Sequence, residues 1–157
     1  MNLQSEATPG TLREVEILLV EDNPGDVLLT KEALLEGKVR NRLHWARDGV
    51  EALAFLECKP PFIEAPYPDV IFLDLNLPRK SGHDVLNFIK SDPRFKRIPV
   101  VILTSSKAES DVLKSYDHFA NCYVSKPVDL EKFMSVIQSI NHFWLKVVTL
   151  PNETDET

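Results

Sequence analysis

The sequence predicts an α/β protein built on a doubly wound, five-stranded parallel sheet with five helices. Three observations carry this prediction. Short, nearly continuous apolar runs recur along the chain, as expected for strands covered on both faces. Segments with helical spacing of apolar residues separate them, and turn or helix-start residues mark the junctions. Strands that alternate with helices pair in parallel through right-handed crossovers, which puts helices on both faces of the sheet.

Residues 1–13 are polar, contain Pro9-Gly10, and read as a flexible N-terminal arm. VEILLV (15–20) is the first strand and ends in Glu21-Asp22-Asn23-Pro24-Gly25, a cluster of turn and helix-start signals. From Asp26 to about Lys38, the apolar residues Val27, Leu28, Leu29, Ala33, Leu34 and Leu35 recur at roughly helical spacing. RLHWA (42–46) is the second strand, and Asp48 caps a helix carrying Val50, Leu53, Ala54 and Leu56. A Pro-rich loop from Lys59 to Pro68 leads to DVIFLDL (69–75), the most apolar strand. A helix near 82–91 is broken at Asp92-Pro93, and Pro99 opens the strand PVVILT (99–104). A helix over about 107–118, the strand NCYVS (121–125) and a long closing helix from Asp129 complete the set. Residues 14–148 thus form one domain, followed by a tail (149–157) containing Glu153, Asp155 and Glu156.

A chain of 157 residues buries a core without help from disulfides or a structural metal. Its 18 basic and 24 acidic residues give a net charge of -6, which speaks against nucleic-acid binding, because that needs a basic face to displace counterions. Cys58 and Cys122 match no metal spacing. The start lacks the basic and apolar run of a signal peptide, and no apolar stretch approaches the ~18 residues that span a bilayer. The expectation is a cytoplasmic protein with reduced thiols and no membrane association.

The informative polar residues fall at strand ends. Glu21 and Asp22 follow the first strand, Asp74 lies at the end of the third, Thr104 at the end of the fourth, and Lys126 just after the fifth. In a parallel sheet these ends share one edge, where ligands bind at the switch point of strand order. Singly, each has a plain explanation: a carboxylate after a strand is often a helix cap, and Lys-Pro is often a surface turn. All five in register argue for one site.

Three carboxylates brought together repel, by ~4 kcal/mol for a pair ~4 Å apart at an effective dielectric of ~20. A divalent cation and the Lys126 ammonium balance that charge, and hard oxygen ligands favour magnesium. An aspartate is also a nucleophile toward a phosphoryl group. Thr104 and Lys126 are then placed to bind its oxygens.

These residues resemble the response-regulator receiver family of two-component signalling. ILLVEDNPGD carries the acidic pair, FLDLNLPRKSG the phosphoacceptor and its loop, VILTSS the hydroxyl, and YVSKP the lysine, so the resemblance covers about 15–140. It implies a flavodoxin-like sheet of order 2-1-3-4-5, with Asp74 as phosphoacceptor and Thr104 and Lys126 as catalytic partners. It further implies Mg2+ held directly by Asp22 and Asp74, by Glu21 through water, and by the backbone carbonyl of Asn76. A cis Lys126-Pro127 peptide and a Thr104/Tyr123 switch pair are implied too, although Tyr123 also suits a plain edge-strand aromatic.

EDNPGD, the loop at 59–68, DLNLPRKSGHDVL and FWLKVVTLP narrow the resemblance to the small phytochrome-associated response regulators of cyanobacteria. That implies a sensor histidine kinase as partner, with a phytochrome expected, a homodimer, and a downstream protein target that the sequence does not name. The chain would be a phosphoacceptor that catalyses its own phosphoryl transfer and dephosphorylation rather than an enzyme acting on other substrates. No output domain follows residue 150, so the expected signal leaves through protein contacts. In 129–148, Leu130, Phe133, Val136, Ile137, Ile140, Phe143, Trp144, Val147 and Val148 exceed one helical stripe. They suit either a dimer face or a helix folded back on the domain.

Three other classes share some of these features. A haloacid-dehalogenase-type phosphatase resembles D-x-D-x-T, whereas Asp74-Leu75-Asn76 lacks the second acid. A flavodoxin-like flavin binder needs a Gly/Ser/Thr-rich loop after the first strand, where Glu21-Asp22 stands. A constitutive docking module needs none of the five site residues. Arg79-Lys80 and Arg94, Lys96, Arg97 read as a solvated rim or kinase-docking surface, and His44, His83, His118 and His142 are scattered without ligand spacing.

Overall fold

The computed structural model describes residues 14–37, 40–104 and 122–126, with the isolated positions 131 and 135. Within them lie β1 (Val15–Val20), α1 (Pro24–Glu36), β2 (Asn41–Ala46), α2 (Gly49–Leu56), β3 (Val70–Asp74), α3 (Gly82–Ser91), β4 (Val100–Thr104) and β5 (Cys122–Ser125). All strand pairs are parallel and the sheet order is β2-β1-β3-β4-β5. The chain steps outward from β1 to β2, then crosses back over β1 to β3. Strand order therefore reverses between β1 and β3, where an open α/β sheet forms its ligand crevice. The helices predicted over 107–118 and from Asp129, the N-terminal arm and the acidic tail lie outside the described residues.

Alternating strand residues face opposite layers, as the two-residue strand period requires. Leu18, Val20, Ile71, Leu73 and Ile102 pack with Phe55, Leu56, Val85, Leu86 and Ile89 of α2 and α3. Ile17, Leu19, Phe72, Val101 and Leu103 pack with Val27 and Leu34 of α1 on the other face. Helices therefore cover both faces, and every residue of β3 is buried.

Helix details differ from the sequence expectation. α1 begins at Pro24 rather than Asp26, because Asn23 caps it by accepting from the backbone N–H of Gly25 and Asp26, and Pro24 fills a first-turn position with no N–H to satisfy. Its buried face is Val27, Thr30, Ala33 and Leu34, while Leu28, Leu29 and Leu35 are exposed. α2 buries Gly49, Ala52, Phe55 and Leu56, leaving Val50 in solvent. A run of three consecutive apolar residues spans about 200° of the helix, so the buried stripe cannot take in all of Val27, Leu28 and Leu29. Among the described residues no helix is long and apolar enough to cross a membrane.

Candidate functional site

Register alone brings the predicted residues to one rim. Val20 pairs with Leu73, so Glu21 leaves β1 beside Asp74. Asp74 pairs with Leu103, and Thr104 with Ser125, so Lys126 leaves β5 at the same level. Side chains complete the convergence. The Lys126 ammonium lies 3.2 Å from Asp74 Oδ2 and 3.2 Å from Glu21 Oε1. One oxygen each from Glu21, Asp22 and Asp74 falls within a 4.8 Å set. Glu21, Asp22, Asn23, Asp26, Asp74, Asn76 and Lys126 line a cleft of about 410 Å³.

The surroundings fix these groups. Asp74 Oδ1 accepts the Asn76 backbone N–H at 3.1 Å, so this carboxylate also folds the turn that follows it. Glu21 accepts the Asn23 N–H at 3.2 Å, and the Trp45 indole N–H of β2 donates to the Glu21 carbonyl. The loop after Asp74 is held at two close approaches. A Cβ on Gly82 would stand 2.4 Å from the Asp74 carbonyl oxygen, and one on Gly49 would stand 2.3 Å from that of Lys80. Between them Arg79 adopts a left-handed φ of 69° and pairs with the buried Asp48 at 3.3 Å. Arg79 thus stands on the solvated rim, with its side chain exposed, and also ties the loop to Asp48.

Electrostatics set the chemistry. Glu21 and Asp74 are both buried. Burial, then the neighbouring Asp74 charge, pushes the Glu21 carboxyl up to about 7. Lys126 is held above the usual lysine range: burial opposes the charge, but the bond to Asp26 and the charges of Asp74 and Glu21 outweigh it. Asp26 pairs with Lys126 at 2.9 Å, a fourth carboxylate that the sequence reading took only as a helix start. A cluster of oxygen donors, two of them desolvated and short of positive charge, suits a hard divalent cation. Thr104 closes β4 on this rim, but its side chain, that of Tyr123 and the Lys126-Pro127 peptide lie outside the described residues.

Residues 17–138 match the response regulator receiver domain family. The chain belongs to that family. It is 46% identical over 135 residues to the response regulator Rcp1 of Synechocystis sp., covering 86% of this chain and 92% of that one. Among solved structures it resembles the bacteriophytochrome response regulator AtBRR, with a TM-score of 0.79 and 41% identity, over 90% of this chain and 99% of that one. It also resembles the phosphorylated cyanobacterial phytochrome response regulator RcpA, with a TM-score of 0.71 and 45% identity, over 88% and 99%. Receiver domains bind a divalent metal, and an Mn2+-bound form of Rcp1 matches at a TM-score of 0.70 and 45% identity, over 87% of this chain and 99% of that one. The acidic rim of this receiver domain is thus where a divalent metal fits.

Proposed function

We propose that this receiver domain accepts a phosphoryl group on Asp74 from a sensor histidine kinase of the phytochrome class and signals through phosphorylation-dependent protein contacts. The observation that carries the reading is the Lys126 ammonium 3.2 Å from Asp74 Oδ2, with the Glu21 and Asp22 carboxylates clustered beside it. Similarity to Rcp1, AtBRR and RcpA supports the phytochrome partner. Within this reading the protein is a cytoplasmic homodimer, and the surplus apolar residues of 129–148 supply the contact face together with the helix predicted over 107–118 and β5.

In the reaction an Asp74 carboxylate oxygen attacks phosphorus as the P–N bond of a phosphohistidine breaks. The departing imidazole keeps the bonding pair. Asp22, Asp74 and the Asn76 carbonyl, with Glu21 through water, would hold magnesium, which would supply positive charge against the transferred oxygens. Lys126 exchanges its bond to Asp74 Oδ2 for one to a phosphoryl oxygen, and the Thr104 hydroxyl binds another. In the switch that follows, Thr104 moves toward the phosphoryl group and the Tyr123 ring fills the vacated space.

Incubation with a small phosphodonor and magnesium tests the reading. Wild type should gain one acid-stable, base-labile phosphoryl group by intact mass, and Asp74→Asn should gain none. Equal labelling of the two would place the acceptor elsewhere.

A further inference from the structure

Asp26 makes the shortest of the Lys126 ion pairs, at 2.9 Å against 3.2 Å to both Glu21 and Asp74. An ammonium has three hydrogens, and three carboxylates claim them. The backbone around Asp26 is fixed, since its N–H donates to Asn23 Oδ1 and its carbonyl accepts the Thr30 hydroxyl. An acid in a first helical turn is ordinary, because it suits the helix dipole. A helix start does not require that acid to reach a lysine leaving β5 at the far side of β1, nor to line the cleft above Asp74.

The charge balance gives the contact a consequence. Glu21, Asp22, Asp26 and Asp74 carry four formal negative charges, against one on Lys126 and two on a divalent cation. One negative charge remains before an anionic phosphoryl group arrives. Lys126 must also release one of its carboxylates to bind a phosphoryl oxygen, and Asp26 is the one it holds at the shortest distance.

Taking Asp74 as the phosphoacceptor, we propose that Asp26 is a positioning residue that ties Lys126 to the first turn of α1 and slows phosphoryl loading. A site so restrained discriminates against highly charged small donors, and a docked kinase overcomes the restraint by presenting its phosphohistidine directly.

The test compares wild type, Asp26→Asn and Asp26→Glu as full chains in saturating magnesium, with acetyl phosphate and the less charged phosphoramidate as donors. Removing one partly screened charge should speed loading of Asp26→Asn from acetyl phosphate ~3- to 10-fold. The gain should be smaller with phosphoramidate and should shrink in about 0.5 M salt. Asp26→Glu should return to wild-type behaviour within about twofold. Circular dichroism checks folding, and Asp26→Ser substitutes if the asparagine variant does not fold. If wild type loads on Asp74 while the neutral variants load equally fast or more slowly, or with equal gain from both donors, the inference falls alone. If wild type does not load, or Asp74→Asn still does, the phosphoacceptor reading falls and takes the inference with it.

Discussion

The two edges of the sheet treat carboxylates in opposite ways. At the amino edge, acids meet bases in exposed or half-exposed pairs. Glu16 pairs with Arg42 and His44, Glu57 with Lys59 and Arg94, and Asp92 with Arg94. Hydrogen bonds from Lys59 and Arg94 hold the Glu57 carboxyl below the usual range, and Arg94 does the same for Asp92. At the carboxyl edge, Glu21 and Asp74 are buried, and they share Lys126 with Asp26. There burial pushes Glu21 the other way, to about 7. The amino edge closes the fold with acids already satisfied, whereas at the carboxyl edge Glu21, Asp26 and Asp74 share the single Lys126 ammonium. That deficit is what a divalent cation relieves, so the difference between the edges locates the end where such a cation fits.

Removing Lys126 should separate the edges most sharply. Lys126→Met takes away the ammonium nearest Asp74, and loss of one such stabilising group lowers phosphoryl loading by ~10²–10³-fold. Buried carboxylates left without their cation also destabilise the fold, by ~2–4 kcal/mol. Saturating magnesium should recover more stability in the variant than in wild type, because the cation replaces missing charge. Loading rates and thermal melts with and without magnesium check both effects. A variant that loads normally would break the comparison.

Next in size is a pH effect whose sign differs between the edges. The Glu21 carboxyl sits at about 7 in the fold against an ordinary 4.5. Its protonated form is therefore favoured by folding, so this contribution is present below pH ~4.5 and is lost as pH rises to ~7. The loss is on the order of 2 kcal/mol in metal-free protein. Glu57 and Asp92 have lowered values, so their contributions hold above the ordinary carboxylate range and fade as pH falls. Glu21→Gln should abolish the loss between pH 4.5 and 7 in metal-free melts. Melts in which wild type and the variant share one pH profile over that range would contradict the assignment to Glu21.

How much of this was legible in the sequence follows from the kind of information each feature needs. β1 and β3 announce themselves because strands buried on both faces must be apolar throughout, and parallel topology then aligns Glu21, Asp74, Thr104 and Lys126 without further data. Asn23 stands in a cluster of turn and helix-start signals that does not say which residue caps, so the helical spacing puts the start of α1 at Asp26, two residues late. Asp26 and Arg79 were missed as contributors for a different reason. Asp26 carries a residue type its local position already explains, and only tertiary geometry shows the partner, Lys126. Arg79 is an exposed rim residue, and only the structure adds its left-handed backbone and its pair with the buried Asp48. The exposed Leu28, Leu35 and Val50 show the converse limit, since apolar composition marks a helix without saying which flank of its stripe stays wet.

The smallest expected effect lies at the amino edge, and it guards the comparison against a trivial explanation. The Arg94 guanidinium is bonded twice to Asp92, at 3.1 and 2.7 Å, once to Glu57 at 3.1 Å, and rests over the Phe95 ring at 4.8 Å. By count this is a richer ion-pair network than Asp74 possesses. Its members are solvated, however, and exposed pairs gain little because water and salt already screen them. Arg94→Ala should therefore lower the melting temperature by only a few degrees, with the shift shrinking in high salt, and loading of Asp74 should stay within about twofold of wild type. Lost loading in a folded Arg94→Ala protein would mean that the edges are coupled through the sheet. Burial, rather than the number of charged contacts, would then no longer explain the contrast between the edges.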